Sequence, residues 1–541
     1  MAAHSVPLNL EQLRKRAKEL RDLVRAGHPK FIGAARELHP RWADVSPTDP
    51  AWAGFTLADA QLVEARSKGF PSWRRLREYA GMLARYSRAP QRHPATGRDL
   101  AGDFLHLACL THCDGWNAGA GEEPDGLHRQ GEARRMLAGH PELASATIHT
   151  AAAVGDIAAA TALLAADASR ASQVGGPHGW PPLLYLAFAR LNSTAAGHST
   201  LEVARLLLAH GADPGAGYLP DGEPPPVTAL SGAFRGGRDP IHQPAHQHSL
   251  ALARLLLDAG ADPNDQRALS NACEHPHDDD TGLALLLEYG LGRGSGGVWA
   301  ARLAHDPRRQ LPKGAPAPVR LTLTPAQLVQ AELRYSAQWN LPNRVRLLLR
   351  RCAETGIDIN AASAAPGGRD PGPPAYTLAA ACGNTEIVDL LAQAGAVAAP
   401  LDPTHEFVAA CLRADRPAVQ RLLAADPGLA ERARTVSGVP EPLHLAVALN
   451  RPEAVALLAS LGFPLDEDWH GWGAPLVAAV LGGHVAVVKL LVELGADPTA
   501  EILDDTDPSA ELIPHERTPL GLARYLRHHE VAGYLSSLNR G

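Results

Sequence analysis

The stretch HLACLTHC combines residue types that can hold a metal ion. On a helix, His106, Cys109 and Cys113 lie at positions i, i+3 and i+7, and His112 lies nearby on another side. Imidazole nitrogen and thiolate sulfur are ligands that zinc takes in proteins. A zinc site is therefore one interpretation of this stretch. The other is that His106 and Cys109 are packing positions of a buried helix.

Two further stretches concentrate histidine and carboxylate groups. HQPAHQH holds the first set and HPHDDD the second, which are His242, His246 and His248, and His275, His277 and Asp278 to Asp280. Such groups could bind a metal or become charged near pH 6. The alternative is a solvated surface loop in which the histidines have no ligand.

Short catalytic signatures are missing from the sequence, which has no P-loop, no G-x-S-x-G, no H-E-x-x-H and no Cys-x-x-Cys. We therefore expect a non-catalytic protein with no catalytic residues, no cofactor and no metal ion. A small-molecule- or metal-binding protein, including an enzyme that uses the histidine-rich stretches, is the alternative hypothesis.

Tryptophans beside charged residues or glycine are candidates for contacts with a protein partner. DEDWHGWG contains Trp469 and Trp472, HGWPP contains Trp180, and Trp116 follows the stretch HLACLTHC. Exposed tryptophan is typical of the residues that anchor protein interfaces. The candidate partner contacts are these four residues with His242, His246 and His248. The alternative is that the rings cover neighbouring segments of their own chain.

The elements that must position these residues are revealed by a repeated phrase. LLLAHGADP begins at Leu206, LLLDAGADP at Leu255 and LLVELGADP at Leu490. Each reads as a helix end, a glycine in the left-handed conformation and a turn at Asp-Pro. Leucine pairs that begin at 390, 422, 457 and 490 recur at about the same interval. A structural module of roughly 33 residues is therefore copied along the chain.

The module resembles the ankyrin repeat, whose signature is T-P-L-H-L-A-A-x-x-G-H-x-x-V-V-x-L-L-L-x-x-G-A-D-x-N. APLVAAVLGGHVAVVKLLVELGADP and the last unit, TPLGLARYLRHHEVAGYLSSL, carry the resemblance. It implies an all-α, ankyrin-like solenoid of about eleven degenerate repeats over roughly residues 102–539. It also implies that His106, His149 and His444, at the histidine of T-P-L-H, make structural hydrogen bonds between units. The implied function is protein recognition through the concave surface and fingertips, as a scaffold or an inhibitor.

Four units carry an expanded turn between their first and second helices, whereas the second unit keeps a tight turn at Gly155-Asp156. Insertions at one structural position lie on one face of a solenoid, often the binding face. Residues 295–320 are rich in glycine and proline and predict a mobile loop. The expanded turns are Asp114–Gly131, Asn192–Thr200, Arg235–Ser249 and Glu274–Thr281.

Residues 8–86 do not fit the repeat and read as four amphipathic helices. LADAQLVEARSKGFPSWRRL is similar to the helical leader of many bacterial ankyrin proteins, and we expect it to cap the first repeat. The expected domains are a leader at 1–90, a linker at 91–101, repeats with expanded turns at 102–294, an insertion at 295–323 and further repeats at 324–541.

Charge is uneven along the chain. Residues 1–100 hold 18 Lys+Arg against 10 Asp+Glu, and the other residues hold 33 against 48. The basic leader could contact an acidic partner or nucleic acid, or it could be attracted to its own acidic body. We expect a protein partner and no nucleic acid.

Compartment and oligomeric state can only be approached through composition. No signal peptide and no membrane span is visible, and six cysteines form no disulfide framework. Six lysines against 45 arginines indicate a GC-rich bacterial genome. We expect a cytoplasmic monomer that does not bind a membrane.

Overall fold

The computed structural model describes residues 9–92, 97, 99–111, 113, 125–193, 195–235, 243–273, 280–304, 322–362, 372–467, 473–499 and 518–538. Within them the fold is mainly helical. Helices α1 (Leu10–Arg25), α2 (Pro29–Leu38), α3 (Leu57–Ser67) and α4 (Trp73–Tyr86) form the leader, as the sequence predicts.

Local sequence explains where the leader helices begin and end. Asn9 caps α1 through its side-chain oxygen, and Thr56 forms a capping box with Asp59 at the start of α3. Gly27 and Gly69 follow α1 and α3 with φ of 79° and 81°, a region that glycine enters at little cost.

The leader has a hydrophobic core of its own. The rings of Trp42 and Trp52 stack at 4.8 Å, and Phe55 packs edge-on against Trp42. His39 lies 3.1 Å from Asp59 in the same buried region. These aromatic residues therefore hold α1, α2 and α3 together independently of the rest of the chain.

The leader is followed by a two-residue strand, β1 (Ser87–Arg88), and by pairs of short helices. The first part of the chain contains α5 (Leu100–Ala108), α6 (Leu127–Gly139), α7 (Leu143–Ala146), α8 (Ile148–Val154), α9 (Ile157–Ala166), α10 (Pro182–Phe188), α11 (Thr200–Ala209), β2 (Gly217–Pro220), β3 (Val227–Thr228), α12 (Ala229–Phe234), α13 (Ser249–Asp258), α14 (Gln266–Cys273), α15 (Thr281–Glu288) and α16 (Gly297–Arg302).

The second part continues the same alternation. It contains α17 (Pro325–Gln338), α18 (Pro342–Thr355), α19 (Ala375–Ala381), α20 (Thr385–Gln393), α21 (Pro403–Leu412), α22 (Arg416–Ala425), α23 (Leu429–Ala433), α24 (Pro442–Ala448), α25 (Pro452–Ser460), α26 (Pro475–Leu481), α27 (Val485–Glu493), α28 (Pro519–Tyr525) and α29 (His529–Leu538).

First helices stack on first helices, and most second helices stack on second helices. Thus α8 packs between α5 and α10, and α26 packs between α24 and α28, while α25 contacts α27 and α27 contacts α29. Neither helix of a pair could bury its apolar face alone, so the pairs are stable only as consecutive layers. Two core clusters result, one from Phe104 to Leu391 and one from Leu378 to Leu535, and α19 contributes to both.

The turn lengths agree with the sequence. Gly155 (φ 81°) and Asp156 join α8 to α9 directly, and Asp156 caps α9. Longer connections separate α5 from α6, α10 from α11, α12 from α13 and α14 from α15. The prediction of a mobile loop at 295–320 is wrong for the first part of this range. Helix α16 lies there, and its Trp299 is only 8% exposed.

A small sheet links the leader to the repeats. Its strand order is β1-β2-β3, with β1 parallel to β2 and β2 antiparallel to β3. Ser87 lies opposite Leu219, and Arg88 lies opposite Pro220. None of the helices in the described part of the chain is long and apolar enough to cross a bilayer.

Candidate partner-binding surface

The segments that join one helix pair to the next are called fingers here. The glycines that the repeated phrase places after a helix all adopt positive φ, at 88° for Gly211, 103° for Gly260 and 104° for Gly495. This conformation ends the helix and turns the chain into the finger. The sequence prediction for these three positions is confirmed.

Polar side chains tie successive fingers together. The Asn264 side-chain oxygen accepts a hydrogen bond from the Gly292 amide at 2.8 Å. Asn360 does the same for the Val397 amide at 2.8 Å, and Asp466 for the Asp497 amide at 3.1 Å. Because each bond reaches one unit ahead, the fingers are held in line along the stack.

The fingers of the C-terminal part carry exposed carboxylates. Asp466, Glu467 and Asp497 are exposed on two neighbouring fingers, and Asp402 lies on an earlier one. Asp402 accepts hydrogen bonds from the backbone and ring of His405, and these bonds hold the pKa of its carboxyl below the usual range. The carboxyl of Asp402 is therefore ionised at neutral pH, and all four side chains face solvent.

The histidines of the T-P-L-H motif are structural where their contacts are described. Nε2 of His149 lies 2.8 Å from the Gln173 carbonyl, and Nε2 of His444 lies 3.0 Å from the Gly473 carbonyl. Each bond joins a first helix to the following finger, as the resemblance implies. The His106 ring packs at 5.4 Å from the His178 ring.

Trp180 occupies a different place from the one expected of an interface anchor. Its ring is 0% exposed and packs against the rings of His178, Tyr185 and Tyr218 at 4.6, 5.3 and 5.2 Å. The expectation of an exposed contact is wrong for this residue. The alternative interpretation, in which the ring covers its own chain, describes it correctly.

The described histidines of the stretch HQPAHQH differ in exposure. His246 is 3% exposed, and burial lowers its pKa to about 3, with a smaller contribution from Arg190. His248 is exposed. The other named candidates lie outside the described residues, namely Trp116, His242, Trp469 and Trp472, as do His112, His275, His277, Asp278 and Asp279.

The cysteines at or near the ends of the first helices are buried. Burial raises the pKa of the Cys109 thiol to about 12 and that of the Cys411 thiol to about 12. Cys273 is buried as well. Among the described residues, no group of three or more histidine, cysteine or acidic side chains is arranged to hold a metal ion.

A buried arginine that the sequence analysis did not single out organises one expanded turn. Arg190 is 0% exposed, and its Nε donates to the Pro244 carbonyl at 2.8 Å. Its Nη2 donates to the Gly232 carbonyl at 2.8 Å, and its Nη1 donates to the carbonyls of Ala187 and Ala189. Burial lowers its pKa to about 10. Arg190 thus binds the turn after α12 to the end of α10.

Asp125 organises a second expanded turn. Its Oδ1 accepts hydrogen bonds from the Thr111 amide at 2.7 Å and from Nη1 of Arg129 at 3.0 Å. Its Oδ2 accepts a hydrogen bond from Nε2 of Gln243 at 2.8 Å, so it joins the turn after α5 to the turn after α12. The hydrogen bonds of Asp125 and Arg190 are thus structural bonds that hold these turns in place. They give no support to the alternative of a ligand site.

Where the turn between the first and second helix of a pair is tight, one side chain bonds this pair to an earlier one. Asn384, Arg451 and His484 each follow a residue with positive φ at the start of a second helix. Nη1 of Arg451 donates to the Cys382 carbonyl at 3.0 Å, and Nε2 of His484 lies 3.3 Å from the Ala448 carbonyl. Cations are favourable at helix C-terminal carbonyls. Alignment of LNRPEAV with GGHVAVV places Arg451 at the position of His484. This alignment could have identified Arg451 as a linking residue from the sequence.

A family model described as ankyrin repeats matches three copies at residues 407–502. This range runs from within α21 to the finger that follows α27, and it contains the exposed carboxylates of Asp466, Glu467 and Asp497. Residues 407–502 therefore consist of ankyrin repeats. Ankyrin repeats are generally protein-interaction modules, and the family is typically non-catalytic. No curated protein shows significant similarity to this sequence.

Proposed function

We propose that this ankyrin repeat protein is a non-catalytic interaction module, a scaffold or an inhibitor, that binds a protein partner through its concave surface and fingertips. The helix pairs outside residues 407–502 are interpreted as degenerate copies of the repeat, which brings the total to about eleven. The leader is proposed to cap the first repeat.

The observation that carries the proposal is the position of the exposed carboxylates at the fingertips of the matched repeats. Residues 375–499 hold 14 Asp+Glu against 7 Lys+Arg. Complementary charge speeds encounter and excludes wrong partners. The proposed partner therefore presents a basic segment to Asp402, Asp466, Glu467 and Asp497. Trp469 and Trp472 remain proposed contacts, because they follow Glu467 directly in the sequence.

The proposed setting is the cytoplasm, with the protein as a monomer. All six cysteines are free thiols and are buried. Free thiols persist in reducing compartments, whereas secreted proteins usually pair them. This supports the proposed location and adds nothing about the partner.

The test is affinity capture with the full chain from its native cell, followed by mass spectrometry. The Asp466→Lys/Glu467→Lys variant should retain at most about a tenth of the partner, because it reverses the charge at one fingertip. Asp389→Lys/Glu453→Lys is the matched control, since both residues are exposed on second helices away from the fingers. Equal capture by the two variants would contradict the proposal.

A further test concerns the tryptophans. The Trp469→Ala/Trp472→Ala variant should also lose the partner, while the fold of the repeats persists by circular dichroism. Full retention of the partner would remove the two rings from the proposed surface and leave the carboxylates as its defining feature.

A further inference from the structure

The leader ends on the fingers of the N-terminal repeats. Residues 82–92, called the latch here, contain the end of α4, strand β1 and a single 3-10 turn. Strand β1 adds to the β2–β3 finger, and the Asp221 amide donates to the Arg88 carbonyl at 2.9 Å. Addition of a strand to an exposed edge is a common mode of peptide recognition. The latch thus takes the place that an extended peptide from a partner would take.

The Arg88 side chain also reaches the neighbouring finger. Its Nε donates to the Gly179 carbonyl at 3.1 Å. Gly179 has φ of 61°, and a Cβ at this position would lie 3.0 Å from Nε of Arg88. The finger therefore fits closely around an arginine side chain, and it does so only because residue 179 has no side chain.

An aromatic contact holds the other end of the latch. The rings of Tyr86 and Trp299 meet edge-on at 5.1 Å. The Arg302 guanidinium lies 4.6 Å from the Tyr86 ring centre and 4.7 Å from that of Trp299. Nε1 of Trp299 donates to the Gly215 carbonyl at 3.0 Å, which fixes the ring against the finger. A cation between two aromatic rings favours an aromatic residue at this point of the bound segment.

The contact is separable from the core of the repeats. Leu219, Trp299 and Leu303 form a small cluster with Met82, Leu83 and Tyr86 of the latch. The adjacent residue of β2, Tyr218, points to the other face and belongs to the main core cluster. The ion pair between Arg92 and Asp221, at 3.0 Å, is exposed and weak in water. Departure of the latch would uncover the small cluster and leave the main core packed.

We propose that the surface bounded by Gly179, Leu219 and Trp299 is a docking site for a segment that carries an aromatic residue at the end of a helix and, two positions later, an arginine in a short strand. The chain's own Tyr86-Ser87-Arg88 occupies this site. A partner with such a segment binds the N-terminal repeats only after the latch leaves. This site is distinct from the acidic fingertips of the proposed function, and it does not depend on them.

The first experiment measures hydrogen exchange at two amides of the full chain. The Asp221 amide is protected by the latch, whereas the Ala229 amide donates to the Ala216 carbonyl at 2.9 Å within the finger. In Tyr86→Ala/Arg88→Ala, exchange at Asp221 should become faster by about tenfold or more, with Ala229 unchanged. Arg77→Ala, an exposed position on α4, is the matched control and should change neither amide.

Two outcomes of this experiment would overturn the proposal. Equal acceleration of both amides in the double variant would show that the latch is an integral part of the core. In the wild-type chain, exchange of Asp221 and Ala229 with the same denaturant dependence would show that the latch opens only on global unfolding.

The second experiment supplies the latch as a separate molecule. A fluorescent peptide of residues 82–92, MLARYSRAPQR, should bind Tyr86→Ala/Arg88→Ala and leave the wild-type chain unbound, because the wild-type site is occupied. Addition of Trp299→Ala to the double variant should abolish the binding. Absence of peptide binding by a double variant with protected Ala229 would refute the docking site. Neither experiment uses the native partner, so its result is independent of the proposed function.

Discussion

The two parts of the repeat array solve the same structural problem in different ways. In residues 407–502, the matched repeats have tight turns, and one side chain such as Arg451 or His484 reaches back to a carbonyl of the preceding unit, that of Leu412 or Ala448. In the pairs from α5 to α13, the expanded turns are held by buried networks around Asp125 and Arg190. A turn therefore departs from the repeat pattern without loosening the stack when a buried carboxylate accepts from its donors, as Asp125 does, or a buried guanidinium donates to its carbonyls, as Arg190 does.

The fingers differ as well. Those of the matched repeats expose carboxylates, whereas those near Gly179 and Leu219 are covered by the leader. The leader contacts β2 and Trp299, which the sequence did not indicate, whereas the expected capping of the first repeat stays a prediction. The Arg92–Asp221 ion pair, at 3.0 Å, is one attraction between the basic residues 1–100 and the acidic remainder of the chain.

The largest expected effect comes from Trp180→Ala. The ring is fully buried among aromatic neighbours, so its removal should lower the free energy of unfolding by about 3–5 kcal/mol. Chemical denaturation followed by circular dichroism measures the change. Trp469→Ala/Trp472→Ala is the contrasting variant, and it should change partner capture more than stability. A small effect of Trp180→Ala would remove the contrast between the buried Trp180 and the two proposed contact tryptophans.

Arg190→Met should have the next largest effect and lower the free energy of unfolding by about 3 kcal/mol. Four buried carbonyls would lose their donor. Arg451→Met, at a tight turn, should cost less, about 1–2 kcal/mol, since fewer carbonyls depend on it. Denaturant titration of both variants tests the comparison. Arg421→Met on the exposed side of α22 serves as the control. A larger loss for Arg451→Met than for Arg190→Met would contradict the idea that expanded turns depend on buried charge.

A smaller, pH-dependent effect is expected at the junction between the two parts. Burial raises the pKa of Glu332 to about 7, although Arg344 lies 3.2 Å away and opposes the shift. The folded state therefore binds more protons than the unfolded state between about pH 4.5 and pH 7, and stability falls as pH rises through this window. The difference in unfolding free energy between wild type and Glu332→Gln should change across the window and be constant above it. A difference that is the same at pH 5 and pH 7.5 would show that burial does not control this carboxyl.

The smallest effect on stability is expected at the fingertips. Asp466→Ala removes the acceptor for the Asp497 amide at an exposed site, so unfolding should change little. Partner binding by the wild-type chain should weaken with added salt, because exposed charges are screened. Salt-insensitive binding, measured by titration at two ionic strengths, would place the partner on another surface.

Much of the fold follows from the sequence because its signals are local. The glycines after α11, α13 and α27, the capping box at Thr56 and the tight turn at Gly155 act over a few residues. The candidate site is less predictable. A tryptophan beside glycine has the same local pattern whether it is exposed or buried, and Trp180 is buried because Tyr185 and Tyr218 approach it from other elements.

The sequence by itself determined the repeat period, the helix stops and the absence of a short catalytic motif. Only the tertiary structure decided that Arg190 and Asp125 hold the expanded turns, that α16 is ordered against Tyr86, and that Arg88 reaches Gly179. The physical reason is the separation along the chain. A glycine or a cap acts on its own helix, whereas a buried charge or a docked strand acquires its partners only when distant segments have folded together.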